Sequence, residues 1–131
     1  MDAALKQYLL ASAAITALVG DRVNWMLRPQ GKALPAIGLL IVSRNPIDDD
    51  EGDTGLYEAR LQVDCWAPTA PEAKALATAV KALLSGKEAD RYPVNFQGFW
   101  TDNEQDFAGE AAGNDVIFRT SLDFLIHYYT E

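Results

Sequence analysis

The chain is expected to fold as one α+β domain over residues 1–131: a mostly antiparallel β-sheet of four to five strands with two α-helices packed on one face. Three observations lead there. Residues 60–67 read Arg-Leu-Gln-Val-Asp-Cys-Trp-Ala and alternate strictly, with Leu61, Val63 and Cys65 on one side and Arg60, Gln62 and Asp64 on the other. A period of two marks a half-buried strand. Directly afterwards, Thr69-Ala70-Pro71-Glu72 has the spacing of a helix capping box, and Ala73, Leu76, Ala77, Val80, Leu83 and Leu84 recur at helical intervals as far as Gly86. Elsewhere the alternating runs follow one another with short connections, which favours hairpins over a parallel array.

Taken in order, residues 2–19 predict a first helix. Asp2 can cap it, Leu5, Tyr8, Leu9, Ile15, Leu18 and Val19 fall on one side, and Gly20 stands where a left-handed terminal residue is expected. Residues 22–27 suggest a short strand, and 28–32, with Pro29 and Gly31, a turn. The apolar run Ala-Ile-Gly-Leu-Leu-Ile-Val-Ser at 36–43, bounded by Pro35 and Pro46, reads as a strand covered on both faces, one cover being a possible second subunit. Residues 45–55 place Asp48, Asp49, Asp50, Glu51 and Asp53 beside two glycines, so mutual repulsion predicts an extended, solvated loop. After the second helix and a polar connection at 87–93, Val94, Phe96 and Trp100 define a strand. Residues 102–113 are acidic and rich in Gly and Ala, and read as a second mobile loop. The last strand places Val116, Phe118, Leu122, Phe124, Ile126 and Tyr128 on one face and Arg119, Ser121, Asp123 and His127 on the other. Its length, about 43 Å at 3.3 Å per residue, predicts a bend or a section that leaves the sheet to meet a neighbour.

Composition narrows the function. The net charge of −8, with its cations scattered, disfavours tight binding to a phosphate backbone. No apolar run approaches the ~20 residues of a membrane span, and Met1-Asp2 does not open a secretory signal. One cysteine, Cys65, suits a reducing compartment. Any Ser-His-Asp or Cys-His centre must use the only histidine, His127. Ser121 and Asp123 share its face, but in a line along one strand, roughly 7 Å between successive same-face positions, too far for direct hydrogen bonds. Cys65 lies on the apolar side of its strand, where a thiol acts as a small hydrophobe rather than a nucleophile. The acidic run at 48–53 fails the calcium-loop pattern, because its twelfth position is Ala59 or Leu61 and strands flank it. Neither a catalytic residue, a cofactor nor a metal centre is assigned. Trp66, beside Asp64 on the polar side of its strand, is a candidate subunit contact, with strand-end packing the plain alternative.

The order of several short pieces resembles the tail completion or tail terminator family of long-tailed phages and prophages. The pieces are Ala-Leu-Val-Gly-Asp-Arg-Val at 17–23, Leu-Pro-Ala-Ile at 34–37, Ala-Arg-Leu-Gln-Val-Asp-Cys-Trp-Ala at 59–67, Glu72-Ala73 and Leu76-Ala77 on the helix, and Arg-Thr-Ser-Leu-Asp-Phe at 119–124. The resemblance implies a non-enzymatic virion protein, made in the bacterial host cytoplasm, that forms a ring, usually a hexamer, at the head-proximal end of a tail. Such a ring stops growth of the tail tube and joins the tail to the head connector, and DNA only passes through its lumen. In position, the loop with Asp48, Asp49, Asp50, Glu51 and Asp53 matches one that reaches toward the tube. Trp66 and Tyr128 are candidates for the subunit interface, and Asp64, Glu104 and Asp106 for the lumen. A phage, a tailocin or a gene transfer agent would use the same part. The contrasting expectation is a monomeric or dimeric α+β module that takes a peptide or small ligand at a sheet edge.

Overall fold

The computed structural model describes residues 1–26, 34–50, 52–86, 89–91, 94–112 and 115–130. The turn expected at 28–32, Glu51, and the side chains of Asp49 and Asp53 lie outside the described residues. Three helices and six strands alternate as α1 Asp2–Leu10, α2 Ala13–Val19, β1 Val23–Trp25, β2 Ala36–Asp49, β3 Gly52–Ala67, α3 Ala70–Leu84, β4 Ala89–Arg91, β5 Val94–Ala112 and β6 Asp115–Thr130. One sheet in the order β1-β2-β3-β6-β5-β4 contains all six strands. Every pairing is antiparallel except β1 with β2, so the sheet is mixed.

The α+β class is as expected, and the element count differs for local reasons. The single helix expected at 2–19 is two helices. Ser12 adopts extended backbone angles and its Oγ accepts from the Ile15 amide at 3.4 Å, so a serine inside the apolar pattern acts as an N-cap and restarts the helix. Gly20 ends α2 with φ +61°. In α3 the capping residue is Thr69, whose hydroxyl accepts from the Glu72 amide at 3.3 Å. The far end of α3 is tied to the sheet where the Gly86 amide donates to the Phe99 carbonyl at 2.8 Å. The short strand expected at 22–27 is β1, and β4 is the added one; each is three residues long, and they sit at opposite edges.

The larger correction concerns the loops. Within the segments expected to be loops at 45–55 and 102–113, residues 45–49, 52–55 and 102–112 are strand, because each acidic run finds a partner across a hairpin. Arg44 to Ile47 pair with Ala59 to Leu56, and Asp48 and Asp49 pair with Asp53 and Gly52 beyond a register shift. On the other hairpin, Phe107 pairs with Arg119, and Glu110, Ala111 and Ala112 pair with Ile117, Val116 and Asp115. Backbone ladders satisfy N–H and C=O groups whatever the side chains carry, and side chains on alternate faces keep like charges apart.

All three helices cover one face. Leu5, Leu9, Ile15, Val19, Leu76, Val80 and Leu84 meet Ile37, Leu39, Leu61, Val63, Cys65, Leu122, Phe124 and Ile126, all essentially inaccessible to solvent. Aromatic rings fill the β5–β6 side: Phe96 and Phe99 at 5.1 Å, Phe99 with Tyr8 of α1 at 6.2 Å, and Tyr128 with Tyr57 at 5.4 Å between centroids. The Tyr8 hydroxyl donates to the Leu83 carbonyl at 3.3 Å, linking α1 to α3. A register shift between Phe96 and Gly98 corrects the expected face of β5. The extra residue turns Phe99 inward beside Phe96 and sends Trp100 to the opposite face, 48% exposed, where its ring lies over Gly98. A Cβ on Gly98 would stand 2.6 Å from that ring, so glycine admits the tryptophan. On β6, Val116 and Phe118 do not share the burial of Leu122 to Tyr128: Val116 is 52% exposed because the strand runs on past the helices.

Two stability measurements test this packing. Phe99→Ala empties a fully enclosed site and is expected to cost about 3–5 kcal/mol, whereas Ser12→Ala removes only a cap worth ~1 kcal/mol, both read by denaturant unfolding. Burial also raises the Cys65 thiol well above its ordinary pKa, with the Asp64 and Glu104 charges adding to the same effect. Its thiolate is therefore scarce, and thiol reagents are expected to modify Cys65 only under conditions that unfold the chain.

Candidate assembly surfaces

The strands overrun their neighbours at both ends, and this places the exposed chemistry. Pairing of β3 with β6 begins at Leu56 with Tyr129 and ends at Ala67 with Phe118. Beyond Leu56 the β2–β3 hairpin continues alone, carrying Asp48, Asp49, Asp50 and Asp53. Beyond Ala67 the β5–β6 hairpin continues alone at the other end of the sheet, carrying Glu110 and Asp115. Two acidic arms thus leave the sheet in opposite directions. The sequence showed the acid in the first arm, but not that both arms are hairpins, nor that they diverge. Those facts follow from which residues stop pairing.

The sheet face away from the helices is polar and bears paired charges. Arg60 donates to Asp102 at 2.5 Å, Arg119 Nη1 lies 3.6 Å from Asp64, and His127 Nε2 lies 3.3 Å from Glu58. Arg60 sits beside Asp123 as well. Four carboxylates, Glu58, Asp64, Asp102 and Asp123, therefore face two guanidinium groups, and the surface is net negative. Each pair is partly exposed and screened by solvent, so it adds little to stability, and what distinguishes this face is its field. His127 packs edge-on to Trp100 at 4.9 Å, and its carboxylate neighbour belongs to the adjacent strand. That arrangement places His127 with Glu58 rather than with Asp123 or Ser121.

Arg119 is the residue that sequence reasoning passed over. Its guanidinium lies 3.8 Å from the Phe107 ring centroid and 5.1 Å from that of Trp66. Its Nε is the one buried side-chain polar atom without a hydrogen-bond partner among the described residues. Leaving such a donor unpaired costs about 1–3 kcal/mol, offset by two cation–π contacts of about 0.5–2 kcal/mol each. The signal for it was a basic residue flanked on paired strands by aromatics, which appears only once the register is known.

These contacts correct two expected interface residues. Trp66 is only 4% exposed, covered by Arg119, and Tyr128 is 1% exposed, stacked on Tyr57 inside the core. Both are enclosed by their own chain, so neither presents a surface to a neighbour. The candidate lumen residues fall on opposite faces. Asp64 stands on the polar face beside Arg119 and Gln62. Glu104 and Asp106 point to the helix-bearing face, where Lys81 and Lys74 of α3 reach them at 3.0 and 3.4 Å and the Thr120 hydroxyl donates to Asp106 at 2.9 Å. The structure therefore separates Asp64 from the other two. Among the described residues, no group of three or more His, Cys, Asp or Glu side chains converges as a metal site, and no helix is long and apolar enough to cross a membrane.

Comparison with known proteins agrees with this architecture. The family described as tail completion protein gp17 matches residues 3–128. A chain from a structure titled "Virion of native gene transfer agent (GTA) particle" superposes with a TM-score of 0.70 at 25% identity, over 98% of this chain and 94% of that one. A second solved structure, 16% identical over 99% of this chain and 95% of its own, has a TM-score of 0.59 and shows the likeness of fold alone. No curated protein matches in sequence. With nearly every described element inside the matched span, the chain belongs to the tail completion protein gp17 family.

Proposed function

We propose that this chain is a structural subunit of a phage-like tail, forming a ring at its head-proximal end that stops growth of the tail tube and joins the tail to the head connector. Family membership and the likeness to a chain of a gene transfer agent virion support the tail assignment. The observation that carries the finer reading is the pair of hairpin arms leaving opposite ends of the sheet. A subunit that ends one polymer and receives another structure needs two unlike contacts at its two ends, so that tube protein binds on one side only. The arm at 48–53 is assigned to the tube, and the arm formed by the ends of β5 and β6 to the connector. With the strands running along the ring axis and the helices outward, the polar face lines the lumen. Its excess of carboxylates repels phosphate, so DNA passes without being held. The expected partners are copies of itself, probed for a hexamer, the tail tube protein and the connector. A ring can assemble in the bacterial cytoplasm before the virion is complete.

Deleting residues 48–53 removes none of the core residues among those described, so the sheet and helices are expected to remain folded by circular dichroism. Tails made with that variant are expected to be overlong or to fail to join heads in electron micrographs. Normal tail lengths and a normal titre would move the terminating contact elsewhere. An independent check is the bore of the assembled ring. A density map is expected to show Glu58, Asp64 and Asp123 facing the channel, and a bore lined with lysine and arginine rejects this orientation.

A further inference from the structure

Arg119 carries more hydrogen-bonding capacity than its own chain fills. A guanidinium is a donor only, with its N–H groups in a fixed planar fork. Among the described residues Arg119 makes no hydrogen bond: the nearest carboxylate oxygen, on Asp64, is 3.6 Å from Nη1, and Nε is buried without a partner. The reason lies on β3. Gln62 Nε2 donates to both Asp64 oxygens at 3.1 Å, which holds that carboxylate back from the guanidinium. Phe107 covers a face of the guanidinium, 3.8 Å from the ring centroid, so the N–H groups at Nη1 and Nη2 lie along an open edge.

Arg119 lines a cleft of about 490 Å³ in the polar face, together with Asp64, Gln62 and Trp66. Gly38, opposite Asp64 on β2, adds no side chain and so leaves room there. Leu40 and Met26, 38% and 74% exposed, form an apolar wall, and Glu110 of β5 also borders the space. The volume lies within the roughly 300–1,000 Å³ of ligand sites, and so does the make-up, apolar walls with a few polar groups.

We propose that this cleft binds an uncharged polypeptide segment, with one amide group set between Arg119 and Asp64 and one apolar side chain against Leu40 and Met26. An amide presents an acceptor and a donor side by side. Its carbonyl oxygen accepts from Arg119 Nη1 or Nη2, and its N–H donates to the Asp64 carboxylate, and these two partners already stand 3.6 Å apart. Charged groups fit worse. A carboxylate or phosphate entering the cleft meets Asp64 and Glu110, and an ammonium meets the Arg119 guanidinium. A neutral amide meets neither repulsion and fills the fork that Asp64 leaves open.

Position names the partner. Arg119 pairs with Phe107 where the β5–β6 arm begins, and Glu110 lies on that arm. The proposed function gives this arm to the connector, so the segment belongs to the connector, and this part of the inference rests on that reading. Solvent water serves Nη1 and Nη2 in the free subunit. A segment that replaces those hydrogen bonds and also covers Leu40 and Met26 gains by releasing it. One amide with one apolar side chain is a small ligand and binds weakly, at about millimolar concentration, so the contact gains strength from equivalent clefts engaged together in the assembly.

Three probes with one leucine body separate the ligand classes: N-acetyl-leucinamide is neutral, N-acetyl-leucine an anion and leucinamide a cation. Each is titrated into the purified, 15N-labelled chain, with the Trp66 indole N–H and the Arg119 Nε–H as NMR reporters of the cleft. The neutral probe is expected to shift both signals to saturation and to bind several-fold tighter than either charged one. A charged probe that binds as tightly, or no saturable shift with any probe, overturns the proposal. Arg119→Lys keeps the charge and loses the fork, and is expected to weaken the neutral probe several-fold; unchanged affinity overturns the proposal. If that variant does not fold, Leu40→Ser, at an exposed position, is expected to weaken the probe in the same way, and unchanged affinity has the same meaning. The partner is read in assembled particles with p-benzoylphenylalanine in place of Leu40. Irradiation is expected to join this chain to an uncharged segment of the connector. Rings seen by electron microscopy without that cross-link, or with one to DNA or to another copy alone, overturn the connector contact and leave the ring reading intact. Particles that hold the chain without a ring overturn the ring reading, while the probe titration still decides the cleft.

Discussion

A long antiparallel sheet covered on one face only is the constraint from which the rest of this molecule follows. Three short helices bury Leu61, Val63, Leu122, Phe124 and Ile126. Because successive side chains point to opposite faces, the same strands must then present Arg60, Gln62, Asp64, Asp123 and His127 on the other side. The polar face is thus the geometric consequence of a well-made core, and its charge is not constrained by the packing. Nearly every cation on it is held by a carboxylate, which leaves the surplus acid to define the field.

The helices are shorter than the strands, and this difference shapes the ends. Where the helices stop, a strand keeps only its hairpin partner, and apolar side chains give way to acids and glycines. An arm of this kind has backbone hydrogen bonds but little buried area, so it belongs to the low-stability end of the molecule. Under the proposed function, such arms at opposite ends would give one small domain two distinct attachment points without a second core.

The register shifts in β2 and β5 have effects beyond their size. The one at Gln97 turns Phe99 into the core and Trp100 out over Gly98. The one at Val42 twists the edge of β2 just where β1 ends. Each breaks the pattern of two by a single residue, re-aims one aromatic or aliphatic group, and interrupts an otherwise regular edge.

By itself the sequence determined the α+β class, the strand at 60–67, the capped helix after it, and the family, because these rest on local periodicity and on short motifs in a fixed order. It also showed that Cys65 lies on a core face, since alternation alone assigns that. Only the tertiary structure decided the rest. Acidic runs at 45–55 and 102–113 look like loops because repulsion is a local property, while the hairpin pairing that makes strands of 45–49, 52–55 and 102–112 depends on residues across the turn. The helix at 2–19 divides at Ser12 because a cap competes with helix continuation, a balance that periodicity does not register. Trp66 and Tyr128 look exposed or shared from their places in the pattern, yet Arg119 and Tyr57, brought near by strand register, enclose them. Register is a long-range quantity in which a slip of one residue exchanges the two faces. Which face each side chain meets, and where two arms lie open, are therefore fixed by the assembled sheet and not by any segment of it.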